Sequence, residues 1–329
     1  MKHTMRLIAA LLAMIGIAGA CLAGAAAAET DSDYPSRPIK IIVPNPPGGA
    51  TDTSSRLVGQ RLSELVGQSV VIENRPGSGG QLASEVTAKA APDGYTIMLG
   101  QDSQLVINPY LYTSSTLDPM KAFVPVASLV TTVMILTVNP KLPVKDFKGF
   151  IEYARQANPP LLYASIGNGS QHHLAMEMLK LRAGVNLVHV PYKGGGPAAQ
   201  ALVANEVAAE FGGNSTATVI SQGLLRGLAV TSLKRSPDYP DLPTIAETYP
   251  GYEVTPWLGF FAPAGVPAAI LAKLHDNVNK ALADPKIAQR LHGGGMYPFI
   301  TTRDEFASFI KADYDRYGEI VKAVGVKIE

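Results

Sequence analysis

Four segments of this chain set glycines beside hydroxyl and amide side chains where an apolar run gives way to an amphipathic one. They are Pro46-Pro-Gly-Gly-Ala-Thr-Asp52, Ile166-Gly-Asn-Gly-Ser-Gln-His172, Tyr192-Lys-Gly-Gly-Gly-Pro-Ala198 and Gly212-Gly-Asn-Ser-Thr216. Glycine lets a backbone come close to a guest and adopt positive φ. A helix opening directly after such a turn aims N–H groups and its positive end at one spot, which suits an anion. No lysine follows Val43 in the first segment and the GxxxxGK[ST] spacing is absent, so a nucleoside triphosphate is not the natural guest; a carboxylate is. The candidate contacts are Gly48, Gly49, Ala50, Thr51 and Asp52 in the first turn, with Thr51 or Asp52 expected to cap the helix. Gly167, Gly169, Ser170 and His172 follow in the second, Gly194, Gly195, Pro197 and Ala198 in the third, and Asn214 in the fourth. Ser103, just after an apolar run, joins them. Any one such segment also reads as an ordinary strand–helix turn. Four of them, split between two halves of the chain, point to a shared cleft.

Amides alone are strong enough for the task. Micromolar affinity needs about 8 kcal/mol. Hydrogen bonds to a charged group contribute about 1.5–3 kcal/mol each, and a helix N-terminus adds roughly 0.3–1 kcal/mol. Other chemistries fit less well. Adjacent His172 and His173 diverge by about 100° on a helix, and no third ligand stands at a suitable spacing, so no metal is expected. Ser170 with His172 offers a hydrolase reading, but the G-x-S-x-G elbow is missing. Gly167-x-Gly169 lacks the last glycine of a dinucleotide loop, and no cofactor is expected. Trp257, the only tryptophan, reads either as core or as a cleft wall that stacks on a ring.

The elements that must position these turns alternate between strand and helix, the pattern of a mostly parallel sheet with helices on both faces. Strands are expected at Ile39–Val43, Val70–Asn74 and Thr96–Gly100, with helices at Asp52–Val66 and Leu82–Ala90. Val58, Leu62, Leu65 and Val66 fall on one face of the first helix. A long apolar stretch from Phe123 to Val138 breaks at Thr131-Thr132. The pattern then restarts, with helices at Lys145–Ala157, His172–Ala183 and Pro197–Ala204. The interleaved strands are Leu161–Ser165, Leu187–Val190, Val207–Phe211 and Gly227–Thr231. A second long strand, Val254–Ala262, leads to helices at Ala268–Ala283, Pro285–Leu291 and Arg303–Val324. Two β/α sets joined by two long strands imply an α/β protein of two lobes: residues 29–131 with 254–329 returning to them, and residues 132–253. A small molecule would bind in the cleft between them.

Residues 1–28 read as an export signal: Lys2 and Arg6, an apolar run from Leu7 to Ala20, and an A-x-A site at Ala26–Ala28. Cys21, the only cysteine, lies inside this segment; a lipoprotein site there is the lesser alternative, because Ala18 replaces the usual leucine. Cleavage after Ala28 leaves 301 residues without cysteine, held together by core packing rather than disulfides. The 26 basic and 27 acidic residues of that remainder argue against nucleic acid or an anionic membrane surface as the main partner. A soluble protein outside the cytoplasm is expected.

Several strings, in order, are similar to the Bug or TctC family, the periplasmic solute-binding subunits of tripartite tricarboxylate transporters. They include Pro46-Pro-Gly-Gly-Ala-Thr-Asp52, Val71-Ile-Glu-Asn-Arg-Pro-Gly-Ser-Gly-Gly80, Ala91-Pro-Asp-Gly-Tyr-Thr96, Gly169-Ser-Gln-His-His-Leu174, His189-Val-Pro-Tyr-Lys-Gly-Gly195 and Trp257-Leu-Gly-Phe-Phe-Ala-Pro-Ala-Gly-Val-Pro267. The resemblance covers nearly all of the chain after the export segment. It implies a two-lobed periplasmic binding protein of the Venus-flytrap type, a monomer without enzymatic activity. Such a protein captures a small carboxylate and passes it to integral membrane subunits, or presents it to a sensor. It also implies carboxylate capture by Gly48–Asp52, completed from the other lobe by Gly169–His172 and Gly194–Ala198. One departure stands out: Phe211-Gly-Gly-Asn214 replaces the Phe-Asp-Asn of many relatives, which hints at a bulkier or more anionic guest such as an aromatic dicarboxylate.

Overall fold

The computed structural model describes residues 34–112 and 117–325; the export segment and Cys21 lie outside the described residues. Strands β1 (Ile39–Val43), β2 (Val70–Asn74), β3 (Thr96–Gln101), β4 (Phe123–Thr132), β10 (Trp257–Pro263) and β11 (Met296–Pro298) form one sheet, in the order β11-β4-β10-β3-β1-β2. Strands β5 (Ile135–Val138), β6 (Leu161–Ser165), β7 (Leu187–Pro191), β8 (Ala209–Gly212) and β9 (Arg226–Val230) form the other, in the order β7-β6-β8-β5-β9. Each sheet with its helices is one lobe.

Period-two alternation explains why the first sheet is buried on both faces. Ile39, Ile41 and Val43 face one apolar cluster, shared with Ile97, Leu99, Phe260 and helices α1 (Ala50–Val66) and α9 (Ala268–Leu282). Ile42, Met98 and Phe261 point the other way, into a cluster with Ala83 of α2 (Gln81–Ala88) and Phe306 of α11 (Arg303–Val324). Each such fully buried aliphatic contributes roughly 1.5–3 kcal/mol. The second cluster continues into the other lobe through Phe150 of α5 (Phe147–Gln156) and Leu174 of α6 (Gln171–Ala183). Helix α11 lies against β4 of the first lobe and also touches α6 of the second.

The expected parallel pairing holds for β1 with β2 and β3, and for β6 with β7 and β8. Strands β4, β5 and β10 pair antiparallel. The reason is topological: they carry the chain from one sheet to the other instead of closing a β-α-β unit. The sheet changes between Thr132 and Ile135 and again between Val230 and Trp257. These two connections run side by side. Thr132 N–H donates to Pro256 O (2.9 Å), and Thr231 ties the strands together, its N–H on Met134 O (3.0 Å) and its hydroxyl on Val254 O (2.6 Å).

Candidate functional site

Because β1, β2 and β3 are parallel, the residues after Val43, Asn74 and Gln101 share one edge of the first sheet. Those after Ser165, Pro191 and Gly212 share one edge of the second. Gln171, the first residue of α6, donates from Nε2 to Oδ1 of Asp102, the residue that follows β3. That hydrogen bond joins the edge after β3 to the start of α6. A Cβ placed on Gly48, Gly49, Gly194 or Gly196 would meet no atom within 4 Å, so these turns face open space.

The first turn is organised by Asp52 from inside. Gly49, not Thr51 or Asp52, is the N-cap of α1, and it has no side-chain bond. Gly48 turns the chain at φ +91°, a conformation that glycine adopts without strain. Asp52 reaches back one turn to accept from Gly48 N–H (3.0 Å), Arg56 Nε (3.0 Å) and Asn74 Nδ2 (3.0 Å). Asn74 Nδ2 also holds Asn45 O (2.9 Å). Burial would raise the Asp52 pKa, but the hydrogen bonds from Arg56, Gly48 and Asn74 outweigh it and hold the carboxyl below its ordinary range. The charge of Asp52 is therefore used within the protein, and the residue positions the turn. The first helical bond of α1 runs from Thr53 N–H to Gly49 O (2.9 Å). The N–H groups of Ala50 and Thr51 thus have no acceptor within the helix.

The second turn is equally preset. Ser170 is the N-cap of α6: its hydroxyl accepts from His173 N–H (3.3 Å) and donates to Gly167 O (2.7 Å). Both functions of that hydroxyl are committed, and no hydrogen bond joins it to His172 among the described residues. The His172 imidazole is half-buried, and its Nδ1 has no partner. Burial lowers its pKa to about 4, so the ring is neutral. It sits opposite Gly213, where a Cβ would stand 3.9 Å from Nε2. The third turn opens α7 (Gly195–Val203) after Gly194, at φ +105°. Ser103 is half-buried at the first edge, its N–H on Asp102 Oδ1 (2.8 Å).

Ala198 and Trp257, two of the expected contacts, are packed into the interior. Ala198 is buried with Ala164 and Leu202, and its N–H is the first to bond within α7, on Gly194 O (3.4 Å). Trp257 is 1% exposed and packed against Phe261 and Phe306, with its indole N–H on Asp313 Oδ2 (2.6 Å). The inward register of β10 puts it there, not in a cleft wall. Asn214 opens α8 (Asn214–Ser221), a helix not anticipated from the sequence; the side chains of residues 214 and 215 lie outside the described residues.

Two buried carboxyls escape a reading of the sequence alone. Asp102 is 1% exposed, its Oδ2 has no partner, and burial, reinforced by Asp313, lifts its pKa to about 7. Glu210 on β8 is similarly buried with Oε1 unpartnered, and burial lifts it to about 8. An acid at a strand end and another inside the apolar run Val207–Phe211 were the signals available.

The paired glycines of the fourth turn are not equivalent. A Cβ on Gly212 would lie 2.0 Å from Thr216 Oγ1, which itself bonds Gly213 O at 2.7 Å. Gly212→Ala is expected to cost about 1–3 kcal/mol through overpacking, whereas Gly213→Ala stays close to the parent. Melting curves of the two variants check this; coincident curves would refute the packing.

The family model for the tripartite tricarboxylate transporter family receptor matches residues 55–326. Protein BugT of Bordetella pertussis is 36% identical over 323 residues, 97% of this chain and 98% of the relative. Among solved structures, Rpa4515 of R. palustris with adipate is 34% identical, with a TM-score of 0.77 over 90% of this chain and 99% of that one. MatC (Rpa3494) of Rhodopseudomonas palustris with bound malate is 31% identical, with a TM-score of 0.72 over 88% of this chain and all of that one.

Proposed function

This chain belongs to the tripartite tricarboxylate transporter receptor family, and from that membership we propose that it captures a small organic dicarboxylate in the cleft and hands it to integral membrane subunits. The observation that carries the reading is the Gln171–Asp102 hydrogen bond, which joins the start of α6 in the second lobe to the end of β3 in the first. One carboxylate docks on the N–H groups of Ala50 and Thr51, and the second lobe closes with the amides at the starts of α6 and α7. The parallel connections tied by Thr231 are the hinge. Gly48, Gly49, Gly167, Gly169, Gly194, Gly195 and Pro197 shape the two walls, and Asn214 and Ser103 border them. Adipate and malate on the two relatives support an aliphatic diacid; in the fourth turn only Gly213, not the packed Gly212, leaves space for a bulkier one.

No bond is made or broken in this mechanism. The Ser170 hydroxyl, held on both sides, is a cap and not a nucleophile. Residues 1–28 direct export and are removed, and the protein works in the periplasm as a monomer. None of the helices among the described residues is long and apolar enough to cross a membrane.

Calorimetric titration with adipate, L-malate and a benzene dicarboxylate tests the proposal. At least one is expected to bind with micromolar Kd, and Asp52→Ala to weaken it at least about tenfold, the equivalent of one lost charged hydrogen bond. Heatless titrations with all three, or an Asp52→Ala protein of unchanged affinity, would count against it. Ester turnover by the purified protein, abolished by Ser170→Ala, would replace it with a hydrolase.

A further inference from the structure

Beneath the Gly167–Ser170 turn lies a pair of imidazoles that the binding mechanism does not use. His173 of α6 and His189 of β7 stack with ring centroids 3.9 Å apart and planes within 7°. Tyr163 of β6 continues the stack, 5.0 Å from His189. Both histidines reach the turn. The Gly169 N–H donates to His173 Nδ1 at 3.0 Å, inside the protein. His189 Nε2 lies 2.6 Å from Ser165 Oγ, and that hydroxyl clasps Gly167 by both backbone groups, accepting from its N–H (3.1 Å) and donating to its O (3.0 Å).

We propose that His173 and His189 are positioning residues for the Gly167–Ser170 turn, and that they hold it in its binding shape only while the His173 ring is neutral. The inference rests on the proposed use of that turn in carboxylate capture. An Nδ1 that accepts from Gly169 carries no proton. Protonating it sets a donor against a donor and releases Gly169. Protonating His189 instead puts a charge on a ring stacked against its neighbour, which disfavours a second proton on the pair.

The groups facing the pair are few. Glu177 and Lys180 of α6 form an ion pair (2.6 Å), and Tyr163 donates its hydroxyl to Glu177 Oε1 (2.6 Å). Ser165 and the Gly169 amide also face the pair. Burial lowers both imidazoles: His173 below its usual value, and His189 to about 4, with His173 adding to the shift. Glu177 acts in the opposite sense on both rings, and Lys180 counters it. The sign follows. For bases depressed by folding, the ordered turn is fully favoured above the ordinary imidazole pKa of about 6.5 and loses support as pH falls from there to about 4.

The test uses the full-length mature protein, first without ligand. In NMR titrations, the His173 ring protons should titrate with a midpoint below pH 6.5, and the Gly169 amide should lose exchange protection over the same interval. His173→Asn places an amide oxygen where Nδ1 accepts. It should keep the Gly169 amide protected down to pH 4 and keep adipate affinity within about threefold of the parent at pH 7. His173→Ala should lose protection at every pH. Below the observed His173 midpoint the parent should lose affinity by up to about tenfold per pH unit more than His173→Asn does. Rings that titrate near pH 6.5 without moving the Gly169 amide would overturn the proposal. So would a His173→Asn protein that is as unprotected as His173→Ala. If adipate binds none of these proteins, the proposed ligand class fails, while the NMR result still decides the role of the histidines.

Discussion

Asp102→Asn is expected to stabilise the protein at pH 8 and to leave its stability near pH 4 unchanged. The parent carboxyl is buried, has one unpartnered oxygen, and is pushed from 3.8 to about 7. An acid whose folded pKa is raised costs nothing below its unfolded pKa, where both states are protonated. As pH climbs from about 4 to about 7, the unfolded chain ionises while the native one does not, and stability is lost at about 1.4 kcal/mol per unit. The ceiling is therefore on the order of 4 kcal/mol, less whatever the new N–H loses by burial. Asparagine removes this cost and keeps an acceptor for Gln171 Nε2. Chemical denaturation at pH 4 and pH 8 checks the difference; a variant less stable than the parent at pH 8 would mean that the carboxylate is paired after all. The same titration bears on binding. A neutral Asp102 keeps a negative charge away from a cleft proposed to take an anion, so parent affinity should decline above pH 7, and that of Asp102→Asn should not.

Trp257→Ala should be the most destabilising single change, at about 3–5 kcal/mol. The indole fills the space between Phe261, Phe306 and Phe309, and its N–H satisfies Asp313. Asp313 is 2% exposed and also pairs with Arg316, which reaches Glu253 at 3.0 Å. Truncation leaves both a cavity and an Asp313 Oδ2 without its donor. Trp257→Phe restores most of the volume but not the N–H and should cost about 1–3 kcal/mol. In both variants the protein that remains folded at low temperature should bind its acid within about twofold of the parent. Large affinity losses with little change in melting temperature would restore the cleft-wall reading of Trp257.

Much of the architecture is written locally. The strand Ile39–Val43 and the helix Arg303–Val324 are found where their apolar periods put them. The latter is also closed by a Thr302–Glu305 capping box. The short helix Asn214–Ser221 was invisible because its Gly-Asn-Ser-Thr opening looks like turn chemistry and its apolar residues are too few for a period. Strand β11 has three residues, too short to alternate, and exists because β4 offers it an edge.

The same division runs through the candidate site. Glycine turns at strand–helix junctions, and hence the proposed main-chain recognition of an acid, follow from residue type and spacing, since positive φ and free helix-start amides are local properties. Local sequence does not determine which polar groups are left over for a guest. Asp52 is consumed by Gly48, Arg56 and Asn74; Ser170 by Gly167 and His173; Trp257 by Asp313, 56 residues away. Asp102 meets Gln171 across 69 residues of chain. Those pairings, and the desolvation that moves Asp102, His172 and Glu210 off their ordinary titration ranges, arise only when distant segments exclude water together. Tertiary packing therefore decided which side chains are structure and which remain free to act.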